Sequence, residues 1–116
     1  MLQSDFDWTQ KDLNGISVFT LKGSFNVGVS SKIRVSIEPI LSTGQRKVLF
    51  DLSELEQLDS AGVTTLIVVF KRVRSNKGDI KITGLNGQPR EIFRLLRLDK
   101  VFDLYEDFDA AVESFQ

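Results

Sequence analysis

The amino-acid sequence predicts an α/β domain in which a small mixed β-sheet is flanked by about four helices. The sheet is expected to combine an N-terminal hairpin with parallel strands, because helical and strand-like segments alternate along the chain after the hairpin. The chain has 116 residues, which is a typical length for one domain, and it contains no internal repeat and no linker. We therefore expect residues 1–116 to form a single domain.

The hairpin is predicted from the N-terminal part of the sequence. Apolar and polar residues alternate over residues 6–10, as is typical of a strand, and Asn14-Gly15 then provides two residues that tolerate positive φ. A second strand is predicted over residues 16–22, and residues 23–26 are expected to form a turn. Trp8 is interpreted as a side chain that covers one edge of the sheet.

The first helix is predicted over residues 30–43, because apolar residues recur there at steps of three and four. Ser30 or Ser31 is the expected N-cap, and Pro39 is expected to kink the helix or to end it early. The apolar face of this helix consists of Val29, Ile33, Ile37, Ile40 and Leu41.

The remaining segments continue the alternation of strands and helices. A central strand is predicted over residues 46–52, because its consecutive apolar residues need cover on both faces. It is followed by a helix over 61–75, a strand over 79–83, a helix that opens at Pro89, a final strand or extended piece over 101–104 and a short helix capped by Asp107. The helix that opens at Pro89 is expected to bury Ile92, Phe93, Leu95, Leu96 and Leu98.

Residue types that the sequence lacks exclude several classes of function. The chain contains no cysteine and no histidine, so disulfides and thiol catalysis are excluded and the commonest general base and zinc ligand are missing. The first residues contain neither a basic region nor an apolar one, and the longest apolar run, residues 66–70, is too short to cross a bilayer. We expect a cytoplasmic protein without membrane insertion, and the sequence pI of 5.4 argues against nucleic-acid binding.

Two charged groups of residues are candidate binding sites, and each has a simpler explanation. Asp51 and Asp59 are the only carboxylate pair that suggests a metal site, but a solvated pair or a helix cap is the favoured interpretation. Arg90, Arg94 and Arg97 form a basic stripe on a predicted helix, which we interpret as a solvated face, with contact to an acidic partner as the alternative. No metal and no cofactor are expected.

The junction between the central strand region and the helix over 61–75 is the most informative part of the sequence. Ser60 lies at this junction, and serine is a preferred helix N-cap. A helix N-terminus also favours negative charge, so a phosphate on Ser60 would be tolerated there. Ser60 is therefore either a helix cap alone or a cap that is also a phosphoacceptor.

Five segments around this junction together match the pattern of a known family. They are Gly23-Ser24-Phe25-Asn26, Val48-Leu49-Phe50-Asp51-Leu52-Ser53, Leu58-Asp59-Ser60-Ala61-Gly62-Val63, Gly78-Asp79-Ile80-Lys81-Ile82 and the closing segment Leu98-Asp99-Lys100-Val101-Phe102-Asp103-Leu104-Tyr105. These segments resemble the STAS domain of bacterial anti-sigma-factor antagonists. The resemblance implies a STAS-like fold and a protein that binds an anti-sigma factor, which often doubles as a serine kinase.

The resemblance also implies which residues act. Ser60 matches the serine that the partner phosphorylates and that a serine phosphatase restores. The implied partner-binding residues are Asn26, Asp59, Ser60, Ala61, Gly62 and Thr64. The sequence departs from the family pattern at three positions, since Ala61 replaces a frequent second Ser or Thr, Asn26 a common Asp and Arg97 a common Gly.

Two other classes of function compete with the phosphorylation switch. One is a non-switching STAS adaptor subunit of a transport or stress-signalling complex, in which Ser60 is only a helix cap. The other is an enzyme, which is disfavoured because the sequence has no histidine, no cysteine and no nucleotide-binding loop. The sequence does not predict the oligomeric state.

Overall fold

The computed structural model describes residues 6–44 and 46–115, which form a five-stranded sheet with helices on both faces. The strands, in their order across the sheet, are β1 (Phe6–Leu13), β2 (Ile16–Phe25), β3 (Lys47–Leu58), β4 (Asp79–Thr83) and β5 (Asp103–Tyr105). The helices are α1 (Val27–Ser42), α2 (Ser60–Ser75), α3 (Gly87–Leu95) and α4 (Phe108–Glu113), with a 3₁₀ turn at Leu98–Lys100. Within the described residues no helix is long and apolar enough to cross a bilayer.

The predicted mixed sheet is confirmed. Strands β1 and β2 are antiparallel, and they are joined by Asn14 and Gly15, which both have positive φ, at 51° and 85°. The pairs β2–β3, β3–β4 and β4–β5 are parallel, and α1, α2 and α3 provide the crossovers.

The core lies on both faces of the sheet. Helices α1, α2 and α3 cover one face, where Phe19, Phe50 and Phe93 are buried in one large cluster. Helix α4 covers the other face with Ala111, and Phe115 packs there beside it. Alternate residues of β3 point to the two faces, which explains why Val48, Leu49 and Phe50 are all fully buried.

Strands β2 and β3 are longer than the sequence predicts. The turn expected at residues 23–26 is wrong, because β2 continues to Phe25, which pairs with Leu58 at the end of β3. The register between these strands shifts twice, between Thr20 and Lys22 and between Gly23 and Ser24. Such irregularities disturb the alternation of apolar and polar residues, so the second halves of both strands do not read as strands in the sequence.

The start of α1 was also predicted wrongly. The helix begins at Val27, and the N-cap is Asn26, whose Oδ1 accepts a hydrogen bond from the Gly28 amide at 2.9 Å. The helix then continues past Pro39 to Ser42. Pro39 is exposed and lies in the last turn, so its missing amide removes one helical hydrogen bond, the one to the Val35 carbonyl, close to the end of the helix.

The apolar face predicted for α3 is only partly correct. Phe93 and Leu98 are buried, but Leu95 and Leu96 are 73% and 55% exposed. Leu95 comes two positions after Phe93 and so lies on the opposite side of α3, and the helix ends there, before Arg97 adopts a left-handed conformation with φ 59°. The helical repeat therefore stops before Leu98, which enters the core from the 3₁₀ turn instead.

Candidate functional site

The candidate site is the corner where β2 and β3 end side by side and α1 and α2 begin. Phe25 and Leu58 are the last residues of these parallel strands, and they are paired in the sheet. The Asp59 amide donates a hydrogen bond to the Phe25 carbonyl oxygen at 3.2 Å, which holds the two strand ends together beyond the ladder. Two helix N-termini consequently open at the same corner.

Asp59 joins these two helix N-termini. Its Oδ1 accepts a hydrogen bond from the Gly62 amide at 3.0 Å and so caps α2. Its Oδ2 accepts a hydrogen bond from the Val27 amide at 3.2 Å, in the first turn of α1. One carboxylate therefore neutralises part of the positive end of both helices and fixes their relative position.

The sequence-based assignment of Ser60 as the helix cap is wrong, because Asp59 is the cap. Ser60 is the first residue of α2, and its side chain is exposed. Among the described residues its hydroxyl makes no hydrogen bond, whereas its carbonyl oxygen accepts one from Thr64 Oγ1 at 2.9 Å. Thr64 is exposed one turn further along α2, on the same side of the helix.

The two small residues after Ser60 differ in their environment. Gly62 is buried, and a Cβ atom added to it would lie 2.6 Å from Leu58 Cδ1 and 2.7 Å from the Phe25 carbonyl oxygen. The close approach of α2 to the strand ends accounts for this glycine. Ala61 is half-buried at the corner.

Val27 is a surface residue of this corner that the sequence analysis missed. Its side chain is 74% exposed, although it is apolar, and its amide donates to Asp59. It was missed because α1 was predicted to begin at Ser30. Recognising Asn26 as the N-cap would have placed Val27 in the first turn of α1.

The structure separates the two carboxylates that the sequence analysis paired. Asp51 lies within β3 opposite Thr83, whereas Asp59 follows the end of that strand. At about 3.3 Å per residue, the intervening part of β3 spans roughly 20 Å or more, so Asp51 does not contribute to the electrostatics at Ser60. No group of three or more potential metal ligands occurs among the residues that the model describes.

The predicted basic stripe is interrupted. Arg97 lies outside α3, and Arg94 Nη2 binds both carboxylate oxygens of Glu91 at 2.8 Å within the helix. Arg90 lies 3.9 Å from Glu106 in an exposed ion pair. Acidic neighbours thus already accompany Arg90 and Arg94, which supports the interpretation of a solvated face.

Comparison with known proteins gives a consistent pattern. The STAS domain model matches residues 8–111. A Bordetella bronchiseptica protein named as an anti-sigma factor antagonist, BtrV, is 24% identical over 108 residues, which cover 93% of each chain. The crystal structure of a Thermotoga maritima protein described as an anti-sigma factor antagonist superposes with a TM-score of 0.88 at 18% identity, covering 92% of each chain.

Two solved structures of SpoIIAA are also similar to this chain. The unphosphorylated anti-sigma factor antagonist SpoIIAA superposes with a TM-score of 0.75 at 14% identity, covering 93% of this chain and 96% of SpoIIAA. The phosphorylated form of Bacillus SpoIIAA gives a TM-score of 0.76 at 15% identity, covering 95% of this chain and 100% of SpoIIAA. At these identities the likeness concerns the fold.

Proposed function

Because the chain belongs to the STAS domain family, we propose that it is an anti-sigma-factor antagonist whose binding is switched off by phosphorylation of Ser60. Its partner would be a cytoplasmic anti-sigma factor with serine kinase activity, and a serine phosphatase would restore the binding form. The proposal includes no catalytic activity of this chain, no cofactor and no nucleic acid. The names of its relatives support it.

One observation carries the proposal, namely the way in which the corner presents Ser60. The side chain is exposed, and its hydroxyl has no hydrogen-bond partner among the described residues. The backbone around it is held by Asp59, which bonds to both α1 and α2. A kinase would therefore meet a free hydroxyl on a fixed backbone, which is a favourable geometry for phosphoryl transfer.

Phosphorylation would change the charge of the corner without unfolding it. A phosphate adds about −1.5 to −2 charges next to the Asp59 carboxylate, while the two helix N-termini offset part of this charge. Asn26 is neutral, so it adds no further repulsion. The similar TM-scores to the unphosphorylated and phosphorylated forms of SpoIIAA support a fold that tolerates the modification.

The surface around Ser60 would provide the contact with the partner. Val27 is exposed in the first turn of α1 and Thr64 one turn into α2, and Ala61 is partly accessible. Asn26 and Asp59 cap the helices, and Gly62 lets α2 approach the strand ends closely, so these three residues would shape the surface rather than dominate the contact. A phosphate on Ser60 would weaken binding through its bulk and its charge at this surface.

The test uses kinase-type anti-sigma factors from the source genome, ATP, and the variants Ser60→Ala and Ser60→Asp. We expect phosphate on the wild type but not on Ser60→Ala, near-normal partner binding by Ser60→Ala, and binding by Ser60→Asp that is weaker by about tenfold or more. Ser36→Asp, which adds the same charge at an exposed position of α1, should bind normally. Phosphate on Ser60→Ala, or full affinity in Ser60→Asp, would contradict the switch.

A second candidate function is a STAS adaptor that binds its partner without switching. The observation that favours it is the reduced polar character of the corner, where Ala61 and Asn26 replace a frequent hydroxyl and a common carboxylate of the family pattern. An adaptor would bind a component of a transport or stress-signalling complex with equal affinity in wild type and Ser60→Asp. The same affinity measurements therefore distinguish the two functions.

A further inference from the structure

The inference concerns β1, which forms one edge of the sheet. The strand runs over the eight residues Phe6–Leu13 and pairs only with β2, so its other side carries no strand among the residues that the model describes. Its register with β2 is uninterrupted, and it contains neither a proline nor a bulge. Prolines and bulges are among the features that usually prevent an exposed edge strand from pairing with another chain, and β1 has neither.

The hairpin determines which backbone groups point away from β2. In a hairpin with a two-residue loop, the residues that flank the loop, here Leu13 and Ile16, form a hydrogen-bonded pair. Counting back in steps of two, Lys11, Thr9 and Asp7 also bond to β2. The amides and carbonyls of the alternate residues Phe6, Trp8, Gln10 and Asp12 therefore point outward.

The charges of β1 favour one antiparallel register with a second copy of the same strand. With Thr9 on the two-fold axis, the outward-pointing groups of Trp8 face those of Gln10 in the second copy, so they can form a hydrogen-bonded pair. In this register Asp7 faces Lys11 of the second copy, twice by symmetry. Within Phe6–Leu13, shifting the axis to Trp8 or Gln10 places no opposite charges across from each other.

Side-chain positions agree with this register. Asp7, Thr9 and Lys11 are exposed on one face of β1, and they occupy the closely spaced non-hydrogen-bonded positions, where cross-strand ion pairs are most favourable. In the single chain the Trp8 amide donates to Asp7 Oδ1 at 2.9 Å. Pairing would give that amide a carbonyl partner and release the Asp7 carboxylate toward Lys11 of the second copy.

We propose that β1 is a self-association edge through which two copies of this chain form an antiparallel two-fold dimer with one continuous ten-stranded sheet. The opposite edge of the sheet does not offer this, because β5 has only three residues. An interface of a single strand pair is small, so the dimer is weak and concentration-dependent. Ser60 lies outside this edge and stays exposed in both copies.

The first test is sedimentation velocity of the purified chain over rising concentrations. We expect a reversible dimer that Asp7→Lys and Lys11→Asp each weaken by about tenfold or more, because each reversal creates two like-charge contacts. The double variant with Asp7→Lys and Lys11→Asp should recover dimerisation, since it restores opposite charges across the axis. Lys32→Asp on α1 is the control for a change in net charge and should leave dimerisation unchanged.

A second test uses the absence of cysteine from the sequence. Thr9→Cys would introduce a single thiol on the proposed axis, where opposed Cβ atoms lie close enough for a disulfide under mild oxidation. Ser36→Cys on α1 is the matched control and should give no rapid cross-link. A wild type that stays monomeric, a double variant that fails to recover, or equal cross-linking of both cysteine variants would overturn the proposal, whatever the outcome for Ser60.

Discussion

Gly62 is the residue of the corner whose identity depends most directly on packing. We expect Gly62→Ala to lower the free energy of unfolding by about 2 kcal/mol or more, because the new methyl group would meet Leu58 and the Phe25 carbonyl at under 3 Å. Urea unfolding measures this difference. In Gly28→Ala the nearest neighbour is Asn26 Oδ1 at 3.2 Å, so the change should be under about 1 kcal/mol. Equal stability of Gly62→Ala and wild type would contradict the packing argument.

The residues of the corner also show how far a sequence can assign individual roles. The Asp59-Ser60 pair was found in the sequence, but Asp and Ser are both good N-caps, so the sequence did not decide between them. The decision lies in the second hydrogen bond of Asp59, to the Val27 amide. That contact joins residues 32 positions apart, and it exists only because β2 and β3 end together.

The end of α3 holds one of the three non-glycine residues with positive φ among the described residues. Arg97 adopts φ 59°, which costs a non-glycine residue roughly 1–2 kcal/mol, while glycine would cost about 0.5–1 kcal/mol of extra chain entropy. We therefore expect Arg97→Gly to raise the free energy of unfolding by up to about 1 kcal/mol in urea titrations. The matched variant Arg94→Gly, within the helix, should instead lower it by about 0.5–1 kcal/mol. Equal destabilisation by both variants would contradict this explanation.

Strands and helices could be predicted from the sequence where their periodicity is regular. Helix α2 and strand β4 were predicted almost to the residue, because each has a single uninterrupted pattern. The second half of β3 was not recognised, because its pairing with β2 contains register shifts and its residues 53–57 are mostly polar. Pairing with a neighbouring strand extends β3 where local propensity does not.

At the scale of the whole molecule, Lys81 links the sheet to the C-terminal helix. Its side chain is only 7% exposed and lies 3.5 Å from Asp79 and 3.4 Å from Asp103. Its ammonium group also lies 5.4 Å from the centre of the Tyr105 ring and 5.2 Å from that of Phe115. One buried cation thus connects β4, β5 and the end of the chain after α4.

The environment of Lys81 predicts a loss of stability at alkaline pH. Burial by itself lowers the pKa of Lys81, but Asp79, Tyr105 and Asp103 outweigh it and raise the pKa above the ordinary value of 10.5. A cation with a raised pKa contributes its full stabilisation below pH 10.5 and loses it as the pH rises through the higher folded-state pKa. The free energy of unfolding should therefore fall in this alkaline range.

This pH dependence can be measured by urea unfolding between about pH 8 and about pH 12. We expect Lys81→Met to flatten the alkaline decline, because methionine keeps much of the packing and removes the titrating group. Lys32→Met changes an exposed lysine of α1 and should retain the wild-type profile. An unchanged alkaline decline in Lys81→Met would show that other groups cause it.

The sequence by itself determined the fold class, the hairpin at Asn14-Gly15, the alternation of parallel strands and helices, and the Asp59-Ser60 junction as the place of interest. These features depend on local backbone preferences and on apolar periodicity, which neighbouring residues carry. Tertiary structure alone decided that Asp59 rather than Ser60 is the cap, that the Val27 amide bonds to Asp59, and that Asp51 lies far from Ser60. Each of these depends on where two strands end in the sheet, which is set by contacts between residues distant in the chain.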